Sequence, residues 1–164
     1  MSTNPPPGYG AVTPWIISAD TARLIDFAKA AFGAEELARL PGPDGKGIGH
    51  AEIRVGDSVV MMFDAFDGWP VTPAFLRVYV PDAAATYQRA LAAGASPVTE
   101  VTALFFGDRV GRVRDPLGNI WWLQSHDEDV DPAELAWRPQ APEAADALNY
   151  VETSLDAAMR GSRA

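Results

Sequence analysis

Cysteine is absent from the chain, which removes disulfides, thiolate metal centres and thiol nucleophiles from consideration. Cationic residues are scarce: 13 Lys and Arg face 22 Asp and Glu, for a net charge of −9 and an isoelectric point near 4.5. Nucleic-acid backbones and anionic membrane surfaces select the opposite balance, so neither is an expected partner. No apolar run approaches the roughly 18 residues of a membrane span. Residues 1–7 carry no cationic stretch followed by an apolar one; no secretory signal is read there, and a cytoplasmic protein is expected. A phosphate loop is missing too, because Gly42-Pro43-Asp44-Gly45-Lys46-Gly47 lacks Walker spacing and reads as a hairpin loop. Ser125-His126-Asp127 is no hydrolase triad, since neighbours on a strand point apart.

What the chain does contain suffices for one core. At 164 residues, 48% hydrophobic and 21% charged, it can bury enough apolar surface to offset chain entropy. Residues 1–10, with Pro5, Pro6, Pro7 and Gly8, read as a flexible leader because prolines and glycine neither pack nor continue a helix. A strand is expected over 12–17, then a helix over 21–32 capped by Asp20 and closed by Gly33, with Leu24, Phe27, Ala28 and Ala31 at helical spacing. Strands over 36–40, 50–55 and 58–63 follow, the last two joined by the turn pair Gly56-Asp57.

The pattern then returns. A strand over 74–80, a helix over 83–93 capped by Asp82, and strands over 97–102, 111–114 and 119–124 complete a second β-α-β-β-β set. Asp108-Arg109 reads as a turn, and Asp115-Pro116-Leu117-Gly118 as a strong one. Caps, helix ends and strands repeat at an offset of 61 to 62 residues, which predicts two related modules. The expected division is a first module over 11–68, a second over 69–130 and a helical extension over 131–164. In that extension Ala145, Leu148, Val151, Leu155 and Met159 form an apolar stripe expected to cover the chain's own domain, with a dimer contact as the alternative. Asp127, Glu128, Asp129 and Asp131 read as a solvated surface.

Two tandem sets of this order resemble the glyoxalase/bleomycin-resistance/dioxygenase superfamily, the vicinal oxygen chelate fold, and within it the PhnB-like branch. The likeness is carried by Ala30-Ala31-Phe32-Gly33-Ala34-Glu35-Glu36, by residues 49–58 and 111–121, by Phe106-Gly107-Asp108-Arg109, and by Ser125-His126-Asp127-Glu128-Asp129-Val130. The resemblance implies an α+β fold in which two tandem βαβββ modules form a curved mixed sheet around a cavity, within a homodimer. It also implies four metal-ligand positions in metal-dependent members, usually His and Glu. Carried over by strand position, these fall at Thr13, Met61, Phe75 and Trp122. None offers imidazole or carboxylate, so no metal ligands and no cofactor are expected.

Strand alternation places His50, Glu52 and Arg54 on one face beside Val59, Met61 and Phe63, and Arg112 and Arg114 with Ile120, Trp122 and Gln124. Trp121 then points the other way, into the core. The candidate ligand-binding residues are Trp15, Met61, Phe63, Phe75, Arg77, Tyr79, Arg112 and Trp122, rings that stack on a planar ligand and guanidiniums that hold an anion. His50 and Glu52 are the candidate catalytic pair. Beside a domain whose dimer surface has become its function and whose cavity its own side chains fill, two readings stand on the sequence. One is a small-molecule-binding protein that sequesters a planar aromatic or anionic ligand without metal, the basis of some antibiotic resistance. The other is a lyase-, isomerase- or dioxygenase-like enzyme using His50 and Glu52 as an acid/base pair or as non-standard metal ligands.

Overall fold

Short-range signals start and stop the elements. In the computed structural model, which describes residues 4–70 and 72–161, Asp20 accepts a hydrogen bond from the Arg23 amide at 3.0 Å and opens α1 (Thr21–Phe32). Gly33 closes it at φ 68°, a left-handed conformation that only glycine adopts without steric cost. Asp82 does the same for α2 (Ala83–Ala92), accepting from the Ala85 amide at 2.9 Å. Residues 1–3 of the expected leader, Val71, and residues 162–164 of the expected extension lie outside the described residues.

Strands β1 (Trp15–Ser18), β2 (Glu35–Pro41), β3 (Ile48–Val55) and β4 (Ser58–Asp64) surround α1 in sequence, and β5 (Phe75–Tyr79), β6 (Ser96–Ala103), β7 (Asp108–Arg114) and β8 (Ile120–His126) surround α2. They make two four-stranded mixed sheets of matching order, β1-β4-β3-β2 and β5-β8-β7-β6. In each, the first strand runs parallel to the last and the remaining pairs are antiparallel. The fold is therefore α+β, two tandem βαβββ units followed by a C-terminal helix, as the sequence pattern implies.

Two strand starts differ from expectation by three residues. Strand β1 starts at Trp15, because Pro14 has no amide to give the ladder and joins it only through its carbonyl, which accepts from the Met61 amide at 3.0 Å. Asp108 and Arg109 are not a turn; they pair with His126 and Ser125 and lengthen β7.

One apolar core joins the modules. Leu24, Ile25 and Ala28 of α1 and Tyr87 and Ala90 of α2 pack with Ile53, Met62, Trp121 and Leu123 from the outer sheet faces. Trp121 is 1% exposed, its indole N–H donates to Asp115 Oδ2 at 2.9 Å, and its ring lies 4.7 Å from that of Phe32. Among the described residues no helix is long and apolar enough to cross a membrane.

After β8 come α3 (Pro132–Leu135), a 3-10 turn over Arg138–Gln140, and α4 (Pro142–Gly161). The acidic run is more than solvated surface: Arg138 grips both Glu128 oxygens at 2.8 and 2.7 Å, and His126 bridges Asp108 at 2.6 Å and Asp129 at 2.9 Å. Helix α4 lies across the inner face of the second sheet, on a face rotated from the expected stripe. Ala144 and Val151 are buried, while Leu148 and Met159 remain 36% and 49% exposed. Polar contacts decide the rotation. Arg112 Nη1 donates to the Val151 carbonyl at 2.6 Å and Arg114 Nη2 to the Ala158 carbonyl at 3.0 Å, an approach that only small side chains on the facing side permit.

Candidate functional site

On the inner face of the first sheet, register sets Trp15 beside Met61 and Met61 beside Glu52. The Trp15 ring lies 5.7 Å from Phe63 and 6.1 Å from His50. His50 Nε2 is 2.9 Å from Glu52 Oε1, and the Tyr9 hydroxyl donates to Glu52 Oε2 at 2.5 Å. These hydrogen bonds, Tyr9's first and then His50's, hold the Glu52 carboxyl below its ordinary range. The same bond pushes the Tyr9 phenol up.

Phe66 and Trp69 extend the aromatic surface, with rings 6.4 and 6.1 Å from Phe63. Trp15, Phe66 and Trp69 are 55%, 52% and 46% exposed. Tyr9, Phe66 and Trp69 are residues that sequence reasoning missed. Tyr9 sits in the segment read as leader and the other two follow the last strand of the first module, where strand parity gives no orientation. Their aromatic character amid turn-forming residues was the one available signal.

On the second sheet, register aligns Arg77, Trp122, Arg112 and Thr99 across all four strands. The guanidinium carbons of Arg77 and Arg112 lie 4.2 and 3.9 Å from the centre of the Trp122 indole, so two cations from the strands on either side flank one ring. Phe75 meets Trp122 edge-on at 6.5 Å. Arg112 is 3% exposed, and burial, with Arg77 as a second cause, pulls it below the ordinary guanidinium value. Arg112 Nη1 also donates to Thr99 Oγ1 at 3.0 Å. Among the described residues no carboxylate pairs with either arginine.

Four buried side-chain polar atoms among the described residues have no hydrogen-bond partner: Thr21 Oγ1, Arg112 Nε, Trp122 Nε1 and Gln124 Oε1. The last three lie on this one face, and two of them are N–H donors. Buried donors are seldom left unpaired, because each forfeits about 1–3 kcal/mol of hydration.

A groove of about 600 Å³ runs between the modules, lined by Tyr9, Asp57 and Val59 on one side and by Arg77 and Tyr79 on the other. The eight candidate ligand residues thus fall into two sets. Trp15, Met61 and Phe63 share the first inner face. Phe75, Arg77, Tyr79, Arg112 and Trp122 belong to the second sheet, with Arg77 and Tyr79 reaching the groove and Arg112 lying beneath α4.

The donor set does not fit a divalent metal. At the strand pairs where metal-dependent relatives keep ligands, Trp15 stands beside Met61 and Arg77 beside Trp122, while Thr13 precedes β1. Indole, thioether and guanidinium do not replace imidazole and carboxylate. No group of three or more His, Asp or Glu able to hold a metal occurs among the described residues.

Paired mixed sheets of βαβββ order, with inner faces bearing rings and charges, define a class of protein. The sequence model of the Glyoxalase/Bleomycin resistance protein/Dioxygenase superfamily matches residues 10–123, and the chain belongs to that superfamily. It is similar to an uncharacterized protein of Mycobacterium tuberculosis (strain ATCC 25618 / H37Rv), 39% identical over 139 residues that span 76% of this chain and 79% of the relative. A counterpart from Mycobacterium bovis is 39% identical over 76% of this chain and 89% of its own length. Of solved structures, TioX from Micromonospora sp. ML1 is 25% identical at a TM-score of 0.59, across 74% of this chain and 100% of that one. A glyoxalase/bleomycin resistance protein/dioxygenase from Nocardioides shares the fold at 16% identity and a TM-score of 0.54, across 75% and 87%. The superfamily match ends at residue 123, before α4.

Proposed function

We propose that the protein binds a planar, anionic small molecule at the inner face of the second sheet and the groove beside it, and sequesters it without a metal. The observation that carries this reading is the pair of orphaned donors, Arg112 Nε and Trp122 Nε1, in a row with two guanidiniums and no carboxylate. A buried cation without a counter-charge is costly, and a carboxylate, sulfonate or phosphate satisfies guanidinium N–H groups in pairs. The exposed ring of Tyr79 suits the planar part, whose burial is worth about 25 cal/mol per Å² before association costs. Protection of a cell from an aromatic drug or metabolite, in the cytoplasm, is the role this chemistry serves.

Calorimetry with 1-naphthoate against 1-naphthylmethylammonium tests the reading. The anion binds and the cation does not, and Arg77→Gln weakens naphthoate about tenfold or more, the worth of one charged hydrogen-bond pair. Equal binding of the two probes, or an indifferent Arg77→Gln, overturns it.

The competing enzyme reading has the His50–Glu52 contact in its favour. Both Glu52 oxygens are already engaged, however, and a carboxyl held below its ordinary range is a weaker base. Substituting His50 and Glu52 together therefore leaves naphthoate binding intact, whereas an enzyme using them loses turnover. A homodimer belongs to the same proposal, supported by the exposed rings of Trp15, Phe66 and Trp69; light scattering on the purified chain gives its mass directly. We also place the chain beside the PhnB-like branch on the segments quoted above, and the PhnB protein of Bacillus cereus shares the fold at 16% identity and a TM-score of 0.52 over 71% of this chain and 99% of that one.

A further inference from the structure

We propose that α4 is a releasable strap: it occupies the anion-binding face of the second sheet in place of ligand, and ligand entry and α4 release are one coupled equilibrium. The inference rests on the reading of that face as an anion site.

The strap is held by the very donors an anion takes. Arg112 and Arg114 reach the carbonyls of Val151 and Ala158, both inside the span of α4. The Val151 carbonyl, well inside the helix, already accepts the amide four residues on, so Arg112 uses its second lone pair. The fit is incomplete, because Arg112 Nη1 is satisfied while Arg112 Nε and Trp122 Nε1 are not. A carboxylate reaching Nε and a neighbouring Nη together completes what a single carbonyl cannot.

The apolar hold is thin for so long a helix. Only Ala144 and Val151 of its 20 residues are buried. The cluster that Val151 forms with Leu104 and Val110, with Trp122 and Ala147 at its edge, is separate from the main core. Lifting α4 therefore leaves the α1–α2 core closed. The base of the strap is anchored, since Arg138 is clamped to Glu128 and Glu134, and the break between the 3-10 turn and α4 at Ala141 provides a place to bend. Two further contacts, the Thr99 and Ser154 hydroxyls at 2.8 Å and the Glu100 amide on the Tyr150 hydroxyl at 3.0 Å, are solvent-replaceable. When the competent state is only partly populated, apparent affinity falls by that fraction.

The test uses the full-length chain, whose lack of cysteine makes a single engineered pair clean. Thr99→Cys with Ser154→Cys replaces two hydroxyls 2.8 Å apart by thiols that meet with a small shift, and mass spectrometry of the oxidised form verifies the bond. Naphthoate binds the oxidised, strapped form about tenfold or more weakly than the reduced form, reductant restores binding, and the wild type ignores reductant. In a second variant, Ser154→Pro, which breaks α4, naphthoate binds more tightly. In the wild type, naphthoate accelerates hydrogen exchange of the α4 amides and leaves α1 and α2 unchanged. Equal and measurable affinity in the oxidised and reduced forms, or slower α4 exchange on binding, overturns the strap alone. Absence of naphthoate binding in every form removes the anion site, and the strap with it.

Discussion

At the centre of the first sheet, Trp15, Met61 and Glu52 run across three neighbouring strands; at the matching place in the second, Arg77, Trp122 and Arg112 do so. Backbone, strand order and register agree, yet one row carries a carboxylate and the other two guanidiniums. The outer faces explain the agreement. A one-residue slip would turn Ile53, Met62, Trp121 and Leu123 out of the shared core, so register is fixed from outside. The inner faces carry no such constraint, and along this row they differ in charge. Each is met by the nearer end of the chain: Tyr9 of the N-terminal segment bonds to Glu52, and α4 of the C-terminal segment lies on Arg112.

The largest expected effect probes the shared outer frame. Trp121→Ala costs about 3–5 kcal/mol in urea unfolding, whereas Val60→Ala, 61 residues earlier in the repeat, costs about 2 kcal/mol, since it deletes far less buried volume. Equal costs would contradict the dependence on deleted buried volume.

Next come the inner faces. Arg112→Met removes two hydrogen bonds from a charged group, costs about 1–3 kcal/mol, speeds exchange throughout α4 and abolishes naphthoate binding. Persistence of α4 protection in that variant contradicts the account of what holds the strap.

Glu52→Gln has a smaller effect, about 1 kcal/mol, and a pH signature. Because the folded carboxyl lies below its ordinary value of 4.5, its contribution is present above that pH and is lost as pH falls through the folded value. The wild-type advantage over Glu52→Gln should thus vanish in acid; an advantage that grows there reverses the sign.

The smallest effect belongs to the second module alone. His126, between Asp129 and Asp108, is raised from 6.5 to about 9, with the hydrogen bond to Asp129 the larger cause. Its contribution is fully present below pH 6.5 and is lost as pH rises through about 9. A plot of melting temperature against pH slopes down over that window in the wild type and flattens in His126→Asn. An unchanged slope assigns the effect elsewhere.

Much of this architecture was legible in advance. Asp20 and Asp82 cap their helices, Gly33 ends α1, and the alternation of residues 50–63 puts Glu52, Met61 and Phe63 on one face and Ile53 and Met62 on the other. Trp121 and Trp122 point to opposite sides, one into the core and the other between two guanidiniums. Within the candidate site, parity grouped Arg112 with Trp122 and His50 with Glu52. It gave no hint of Tyr9, of the Phe66–Trp69 pair, or of the strap.

The misses share a cause. The apolar stripe of α4 chosen by hydropathy shares Val151 with the face that packs but is otherwise rotated from it, because that face is selected by Arg112 and Arg114 reaching carbonyls 39 and 44 residues away. The Asp108-Arg109 turn became strand because β8 supplied a partner for it. By itself, then, the sequence determined what lies within a few residues' reach: caps, turns, strand parity and the repeat that makes two modules, all products of local sterics and hydrogen bonding. Only the tertiary structure decided which termini cover which faces, and which donors stay unpaired beneath them, since those contacts join segments distant in the chain and are selected by burial and charge rather than by local conformation.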